Sequence, residues 1–532
     1  MKGSRGLPPA VRLALYRGLF SACAEEMGVT LMRAAYSPNI KERLDFSCAV
    51  FDSAARLVAQ AAHIPVHLGS MPRAVLAALE LGPFAPGDAV LLNDPYRGGT
   101  HLPDLTLVSP VFLPRRRTPD FFVASRAHHA DVGGAAPGSM PLAREVYEEG
   151  FRIPPVFLAR GGRLVPDVLS LLLANVRTAE ERRADLEAQL GAQGTGALRL
   201  IEMARRSGAL ELVRESTRLL EHGERVMRAA LATLPRGTYR FEDALDDDGL
   251  GHGPIPIRVA VTLSGDHATV DFTGSSPQVP GSVNAVEAVT FAATQYALRC
   301  VLGGDLPVND GAFRPVSVIA PRGTVVHARP PAAVAAGNVE TSQRIVDVVL
   351  GALGKALPDR VPAASSGTMN NLLIGGHDPA RGASFAYYET LAGGHGAGPG
   401  WNGESAMQAH MTNTRNTPIE ALEHSYPFHV IETRIRRGSG GKGRWRGGDG
   451  VVRAIQLTAD ARVTVISERR VRGPYGRAGG APGTPGENRV AVKGRVRKAP
   501  GKFVIDAPRG AVLTVATPGG GGYGRPRRRL RK

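Results

Sequence analysis

Residues 93–104 read Asn93-Asp94-Pro95-Tyr96-Arg97-Gly98-Gly99-Thr100-His101-Leu102-Pro103-Asp104, and they separate two apolar runs, 88–92 and 105–113. A third apolar run, 121–125, leads into Ser125-Arg126-Ala127-His128-His129-Ala130-Asp131-Val132-Gly133-Gly134. Short apolar runs that end at polar residues and glycine are typical of buried strands. We therefore predict neighbouring strands whose polar ends bring distant side chains together on a rigid support.

These strand ends contain the residue types of a metal site. His101, Asp104 and His128 would supply two imidazoles and one carboxylate. That set suits Zn²⁺, Mn²⁺ or Fe²⁺ and leaves coordination positions open for a substrate. His129 and Asp131 would then orient a ligand imidazole through its free nitrogen. The alternative from the residues alone is that the histidines cap the strands and hydrogen-bond the loop backbone.

The rest of the chain alternates between helical and strand-like patterns. Apolar spacing predicts an amphipathic helix from Pro9 to Met32. Residues 165–233 have a mostly helical pattern, with Thr178 and Glu181 spaced as a capping box. Residues 451–468 alternate like a hairpin. The predicted fold class is α+β: a large multi-layered chain with mixed sheets, a mid-chain helical arm and a β-rich C-terminal region.

We predict four regions from these patterns. Residues 1–164 form an N-terminal α+β region with the metal site, and 165–233 form the helical arm, an insertion or interface element. Residues 234–432 form a central α+β region with glycine-rich active-site loops. Residues 433–532 form a basic, β-rich region that ends in a glycine run and a mobile basic tail.

The positive charge is concentrated near the C-terminus. The chain has a formal net charge of +17, and residues 433–532 hold 25 Lys or Arg against 5 Asp or Glu. Such a region favours an acidic protein partner or nucleic acid, although a solvated basic face is the commoner interpretation. Aromatic residues make up only 5% of the chain, which disfavours the stacking platforms of nucleic-acid binders.

Cysteine usage and hydropathy indicate the compartment. Cys23, Cys48 and Cys300 are too far apart for a Cys-x-x-Cys motif, which favours a reducing compartment and no disulfide framework. No stretch approaches the roughly 20 apolar residues of a membrane span. We see no signal peptide. We therefore expect a cytoplasmic protein without a membrane partner.

Two further polar stretches are candidates for chemistry. In 387–401 an aromatic strand runs into a glycine loop, so Glu389 and His395 are candidate acid/base groups, unless the loop only needs positive φ. In 337–344, Asn338 is spaced to cap the following helix.

Common catalytic motifs are absent from the sequence. Gly438-Ser439-Gly440-Gly441-Lys442-Gly443 is not a phosphate-binding loop, because position 436 is Arg and position 443 is Gly. The chain also has no His-Glu-x-x-His helix and no Gly-x-Ser-x-Gly elbow. An unusual hydrolase or a partner-dependent enzyme remains.

Ordered blocks along nearly the whole chain resemble the hydantoinase B/5-oxoprolinase family. Besides 93–104, 125–134 and 337–344, the matching blocks are Arg43 to Asp52, Ala62 to Pro72, Tyr387 to Trp401, His410 to Arg415 and Pro518 to Gly524. So many blocks in one order are far more specific than any single motif.

The resemblance implies one subunit of a two-part, ATP-dependent cyclic amide hydrolase. A hydantoinase A-type partner binds ATP and activates the ring, and this chain, as the B-type component of an N-methylhydantoinase or 5-oxoprolinase, completes the hydrolysis in a hetero-oligomer. In the related acetone carboxylases a metal is held by a His-x-x-Asp pair and a downstream His, which correspond here to His101, Asp104 and His128. The metal would be zinc or manganese and would make water a usable nucleophile. Asp131 and either Glu389 or His395 would move protons.

Two alternatives to this function stay open. The chain resembles subunits of ketone carboxylases of the acetone or acetophenone type with the same metal site. A non-catalytic, basic nucleic-acid-binding protein is the alternative from another class. We also expect the basic region to dock the partner subunit, because like charges favour an acidic counter-surface.

Overall fold

The computed structural model of the chain describes residues 7–61, 64–67, 69–304 and 306–526. Its α-helices are α1 Pro9–Ala34, α2 Pro38–Lys41, α3 Met71–Leu79, α4 Val146–Glu149, α5 Pro166–Ala174, α6 Ala179–Ser207, α7 Ala209–Ala232, α8 Glu287–Leu302, α9 Ser342–Ala356 and α10 Ile419–Ser425. The described residues contain no helix long and apolar enough to cross a membrane.

The strands form four sheets. They are β1 Phe46–Asp52, β2 Leu57–Gln60, β3 Ala89–Leu92, β4 Asp104–Val111, β5 Phe121–His128, β6 Val156–Arg160, β7 Arg163–Leu164, β8 Gly237–Leu245, β9 Ile255–Leu263, β10 Ala268–Asp271, β11 Val316–Ile319, β12 Asn371–Asp378, β13 Ala383–Thr390, β14 Phe428–Arg436, β15 Gly450–Leu457, β16 Ala461–Ile466, β17 Glu487–Val492, β18 Arg495–Ala499, β19 Lys502–Ala507 and β20 Val512–Ala516. The strand orders are β2-β1-β5-β4-β3-β6-β7, β11-β10-β9-β8, β13-β12-β16-β19 and β14-β15-β20-β17-β18. The α+β, multi-layered architecture with mixed sheets is therefore confirmed.

The seven-stranded sheet is the scaffold of the candidate site. Its inner strands β1 and β5 are buried along their whole length, because both faces are covered. Helices α1 and α6 pack on one face, where Phe121 and Val123 contact their apolar residues. Helix α3 packs on the other face, against Phe122 and Ala124. Successive residues of β5 thus point into different layers, as the pleat requires.

Residues 165–233 are helical as predicted, and α6 packs as a layer on the first sheet. Gln189 and Gln193 of α6 both donate hydrogen bonds to Ser125 Oγ on β5. The predicted capping box is wrong. Thr178 Oγ1 makes no capping hydrogen bond and instead accepts one from Arg182 Nη1 at 3.2 Å, while the Glu181 carboxylate also binds Arg182.

The predicted hairpin at 451–468 is also wrong. Its two halves form β15 and β16, but β15 pairs with β14 and β20, whereas β16 pairs with β12 and β19. Apolar residues of the two sheets, including Ile455 and Val463, pack in one core between them. The alternation of apolar and polar residues identified the two strands but not the strands with which they pair. Both sheets present an apolar inner face to the same core, so the pattern is the same for either sheet.

The glycine run at 518–524 is buried among loops. A Cβ built on Gly520 would lie 1.9 Å from the carbonyl oxygen of His395, and one on Gly519 would lie 2.1 Å from that of Ser439. Only glycine permits such close backbone approaches. The mobile basic tail that the sequence predicts, 527–532, lies outside the described residues.

The helical segment that contains α9 begins before Asn338, not after it as the sequence indicates. Helix α9 itself follows a π-helical turn, Gly337–Thr341, and starts at Ser342. The predicted capping role of Asn338 is wrong, because Asn338 lies within the π turn and its buried Oδ1 has no hydrogen-bond partner among the described residues.

Candidate metal centre

Pairing of β4 with β5 brings His101, Asp104 and His128 together. Asp104 is the first residue of β4 and lies opposite His128, the last residue of β5, in the antiparallel register. His101 precedes Asp104 by one tight turn, in which Asp104 N donates to His101 O. The structure therefore places all three predicted ligands at one edge of the seven-stranded sheet.

The two imidazoles of this group both contact the Asp104 carboxylate. His101 Nε2 lies 3.1 Å and His128 Nδ1 lies 3.3 Å from Asp104 Oδ1. The other carboxylate oxygen, Oδ2, accepts a 2.6 Å hydrogen bond from Thr100 Oγ1. One ligand atom from each of the three residues lies within 4.8 Å of the others. This spacing allows a single cation to contact all three.

Unpartnered nitrogen atoms show that the donor set fits a metal ion. All three side chains are buried. Three of their ring nitrogens nevertheless have no hydrogen-bond partner among the described residues: both nitrogens of His101 and Nε2 of His128. Buried imidazole nitrogens without partners are unfavourable unless a cation or water fills the space between them. Two imidazoles and one carboxylate are ligands that zinc and manganese both accept.

The electrostatics favour an ionised Asp104 and a neutral His128. Burial alone would raise the pKa of Asp104, but the charges of His101 and His67 outweigh it and hold that pKa well below its usual range. Burial lowers the pKa of His128, despite its hydrogen bond with Asp104. A carboxylate that stays ionised and an imidazole that stays neutral are the forms that coordinate a cation.

Sequence reasoning from spacing missed His67. Its Nε2 lies 3.4 Å from Asp104 Oδ2, and its Nδ1 lies 2.9 Å from Ser47 Oγ. The signal was present, because His67 belongs to the block 62–72 that resembles the family. It could not be assigned from spacing, since 36 residues separate it from Asp104 and only the fold brings them together.

An aromatic ring from another sheet covers His128. The Tyr388 ring of β13 stacks on the His128 ring with centroids 4.6 Å apart and an interplanar angle of 27°. Arg43 Cζ lies 4.5 Å from the centroid of the same Tyr388 ring. The centre is thus built from the first sheet and closed by β13.

His129 and Asp131 lie close in sequence to the triad but contact other groups. His129 points to the opposite layer, where its Nε2 lies 2.9 Å from Gln189 Oε1 of α6. Asp131 accepts hydrogen bonds from the backbone of Gly133 and Gly138 and from the Arg177 guanidinium. These contacts favour structural roles, and a proton-transfer role for Asp131 stays a prediction.

The other two predicted acid/base residues are also engaged elsewhere. Glu389 is on the face of β13 opposite to Tyr388, where it accepts hydrogen bonds from Tyr387 and Asn416 and lies 3.3 Å from Arg453 Nε. His395 Nε2 lies 2.8 Å from the carbonyl oxygen of Gln408. Catalytic roles for Glu389 and His395 stay predictions.

Sequence comparison links the chain to one family. A family model described as hydantoinase B/oxoprolinase matches residues 9–526. The chain is 38% identical to 5-oxoprolinase 1 of Arabidopsis thaliana, covering 98% of this chain and 42% of that protein. It is 30% identical to the B-type component of a putative D-/L-hydantoinase of Pseudomonas sp. (strain NS671), covering 98% of this chain and 90% of that protein.

Solved structures share the fold. The ATP-dependent caprolactamase from Pseudomonas jessenii superposes with a TM-score of 0.90 at 30% identity, covering 98% of this chain and 92% of that one. A nucleotide-free acetone carboxylase superposes with a TM-score of 0.90 at 18% identity, covering 97% of this chain and 76% of that one. At that lower identity the second likeness concerns the fold alone.

Proposed function

Because this chain belongs to the hydantoinase B/oxoprolinase family, we propose that it hydrolyses a cyclic amide as the B-type subunit of an ATP-dependent enzyme. The observation that carries the proposal is the buried group His101, Asp104 and His128 in a chain that shares its fold and 30% of its sequence with a caprolactamase. Two relatives are named as a 5-oxoprolinase and as a component of a hydantoinase, and both names refer to cyclic amide substrates.

The lengths of the relatives support a two-subunit arrangement. The chain spans 42% of the plant 5-oxoprolinase but 90% of the Pseudomonas hydantoinase component. The longer protein has room for a second functional part, which a separate A-type subunit would supply here. A lactam carbonyl is a poor electrophile, so activation of its oxygen with ATP by that partner would precede hydrolysis on this chain.

In this proposal His101, Asp104 and His128 hold a divalent cation, zinc or manganese. When bound, the cation would supply Lewis-acid polarisation of the water or carbonyl oxygen that reacts. Thr100 orients Asp104 through its 2.6 Å hydrogen bond. Burial of the group excludes bulk water, which strengthens every charge interaction within it. Proton transfer by Asp131 and by either Glu389 or His395 remains part of the proposal.

Co-expression with an A-type partner tests the function. ATP-dependent turnover of 5-oxoproline, N-methylhydantoin, caprolactam and acetone should be measured side by side, the last with bicarbonate. We expect one cyclic amide to dominate, and no ATP hydrolysis or ring opening by the chain alone. Turnover of acetone in preference to every ring would instead establish the ketone carboxylase alternative, for which the shared fold is the supporting observation.

The basic C-terminal region is the proposed docking surface for the partner. Arg434 and Arg437 are exposed at the end of β14, whereas the Arg436 guanidinium donates to the carbonyl oxygens of Pro485 and Thr517 and should be left intact. Reversing the charge of Arg434, Arg437 and 527–529 should weaken the complex, most strongly at low salt.

The exposed residues 115–117, three arginines outside the basic region, provide the control for this docking experiment, in which five arginines of the basic region are changed. Reversing their charge should leave complex formation intact. Equal affinity and equal salt dependence for the basic-region variant and the parent would contradict docking through this surface. Retention of the parent chain, but not of the variant, on a nucleic-acid column, with partner binding equal for both, would favour the nucleic-acid alternative.

A further inference from the structure

Tyr388 joins the candidate metal centre to a buried hydrogen-bond chain. Its ring stacks on His128, while its hydroxyl donates to Asn371 Oδ1 at 2.9 Å. Asn371 Nδ2 in turn donates to Glu340 Oε1 at 2.7 Å and to the carbonyl oxygen of Ile466 at 2.9 Å. The ring and the hydroxyl of Tyr388 are therefore both held, one by stacking and the other by a chain that ends in the π turn before α9.

Every member of this chain is withdrawn from solvent. Tyr388, Asn371 and Glu340 are all buried, and burial raises the pKa of Glu340 to about 8, with the charge of Glu468 adding to it. Glu340 Oε1 also accepts from the backbone N–H of Met369 at 3.2 Å. A hydroxyl anchored to such a fixed acceptor cannot rotate to another partner without leaving a buried polar atom unsatisfied.

Arg43 restrains the ring from a further direction. Its Cζ lies 4.5 Å from the ring centroid, and its Nη1 donates to the Tyr388 carbonyl oxygen at 2.8 Å. Arg43 is itself fully buried and lies 3.2 Å from Asn39 Oδ1. The Tyr388 ring is therefore held by three contacts: the stacked His128 ring, the hydrogen bond of its hydroxyl to Asn371 and the Arg43 guanidinium. Together they favour a single orientation of the ring.

We propose that Tyr388 is a positioning residue that fixes the plane of the His128 imidazole for metal binding, and that the Asn371–Glu340 chain fixes Tyr388. The inference rests on the proposed metal site and adds to it a residue outside the three candidate ligands. An imidazole whose plane is set before the cation arrives loses little orientational freedom on binding. Partners that orient a metal ligand contribute roughly ten- to a hundredfold in metal affinity.

The adjacent tyrosine provides a matched control. Tyr387 is on the same strand and is equally buried, and its hydroxyl also donates a 2.9 Å hydrogen bond to a side chain, Glu389. It points to the opposite layer, among Tyr426 and Phe428. Loss of either hydroxyl removes one buried hydrogen bond, but only Tyr388 contacts the His128 ring.

The test measures metal affinity of the purified chain without its partner or ATP. Zn²⁺ and Co²⁺ dissociation constants are obtained by competition with a chelator for the parent, Tyr388→Phe, Tyr388→Leu and Tyr387→Phe, with thermal unfolding of each. We expect Tyr388→Leu to weaken binding roughly ten- to a hundredfold, Tyr388→Phe to weaken it less, and Tyr387→Phe to match the parent. The Co²⁺ absorption spectrum should change only in the Tyr388 variants.

Two outcomes would overturn the inference, and they differ. Metal binding by Tyr388→Phe and Tyr388→Leu as tight as by Tyr387→Phe would refute the role of Tyr388 and leave the metal site standing. A parent chain that binds neither ion would overturn the metal site together with this role. If Tyr388→Leu does not fold, the comparison of the two Phe variants decides, because each loses only a hydroxyl.

Discussion

Two buried charged clusters in this molecule differ in how their carboxylates are matched. In the candidate metal centre one carboxylate, Asp104, faces the imidazoles of His67, His101 and His128. A second group, here called the Arg344 cluster, pairs its acids mainly with guanidinium and ammonium groups, and the His410 imidazole also lies 3.6 Å from Asp347 Oδ1. Its members are Asp243, Arg344, Asp347, Glu468, Arg469 and Lys502.

The Arg344 cluster is closed by its own charges. Arg344 Nη1 lies 2.9 Å from Asp243, and Arg469 Nη2 lies 2.6 Å from Asp347. Burial would lower the pKa of Arg344, but the charges of Asp243 and Asp347 outweigh it and raise that pKa. A guanidinium stays protonated in proteins, so it cannot yield its place to a metal ion.

In the candidate metal centre, by contrast, the groups that face Asp104 can be neutral. An imidazole can be neutral, and the unprotonated nitrogen of a neutral imidazole can coordinate a cation with its lone pair. The comparison teaches that burial and acidic residues alone do not mark a site. A metal site is indicated instead by a buried carboxylate whose neighbours can themselves coordinate a cation, rather than neutralise the carboxylate with a permanent positive charge.

The largest expected effect comes from removing a metal ligand. His101→Ala, Asp104→Ala and His128→Ala should each abolish metal binding and activity while the fold survives. His101 is the clearest case, because the polar contact of its ring is the 3.1 Å approach of Nε2 to Asp104, so among the described residues the variant removes no hydrogen bond to the surrounding fold. Elemental analysis, activity with the partner and circular dichroism of each purified variant provide the measurement. Full metal content in both His101→Ala and Asp104→Ala would refute the site.

Breaking the Arg344 cluster should have the opposite profile. Arg344→Met leaves Arg469 as the guanidinium that still pairs with Asp243 and Asp347, and it takes one cation from Glu468. Removing one partner from a buried ion-pair network typically destabilises a protein by up to about 3–5 kcal/mol. Urea unfolding gives the free energy, and metal content should be retained in the folded fraction. The control is Arg183→Met, whose exposed ion pair with Glu187 is worth about 0–1 kcal/mol. An Arg344→Met protein as stable as that control would contradict the contrast.

Glu149 is a third case, a buried carboxylate matched by neither imidazole nor guanidinium. Its Oε1 accepts from the backbone N–H groups of Val334 and Ala335, and burial raises its pKa to about 8. The folded state thus binds this proton more tightly than the unfolded state. Its contribution to stability is full below the unfolded pKa near 4.5 and is lost as the pH rises through about 8.

Glu149→Gln should remove that pH dependence. The amide oxygen can accept the same two backbone hydrogen bonds but carries no charge at any pH. Relative to the parent, the variant should gain roughly 2–4 kcal/mol in unfolding free energy between pH 5 and pH 9, because one pKa unit is worth about 1.4 kcal/mol. Urea unfolding at both pH values measures it, with exposed Glu187→Gln as control. A difference between variant and parent that is the same at pH 5 and pH 9 would disprove the mechanism.

The smallest expected effect on the metal is that of His129→Ala. Burial, together with the charge of Arg182, lowers the pKa of His129 to about 4, and its ring contacts Gln189 rather than the triad. Metal content should remain near that of the parent, with a loss of affinity below the roughly tenfold that orienting partners contribute at the least, because His129 does not contact the triad. Loss of metal in His129→Ala with retention in His128→Ala would exchange the roles of the two histidines.

Local patterns in the sequence predicted the elements better than their partners. Apolar runs located β3, β4 and β5, and polar residues at their ends located His101, Asp104 and His128, because burial follows from each side chain's own character. The partner strands of β15 and of β16 could not be predicted, since both strands present an apolar face to a shared core although they belong to different sheets. The capping role of Asn338 failed because a π turn extends the helix backward past it.

The sequence by itself determined the family, the α+β class and the position of three candidate ligands where two neighbouring strands meet. Only the tertiary structure decided which further groups surround them. His67 reaches Asp104 from a separate loop, and Tyr388 reaches His128 from another sheet. Within a strand, a one-residue step reverses the face, so Tyr388 meets the centre while Glu389 pairs with Arg453 in another layer. Contacts between distant segments depend on strand register and layer packing, which no local pattern records.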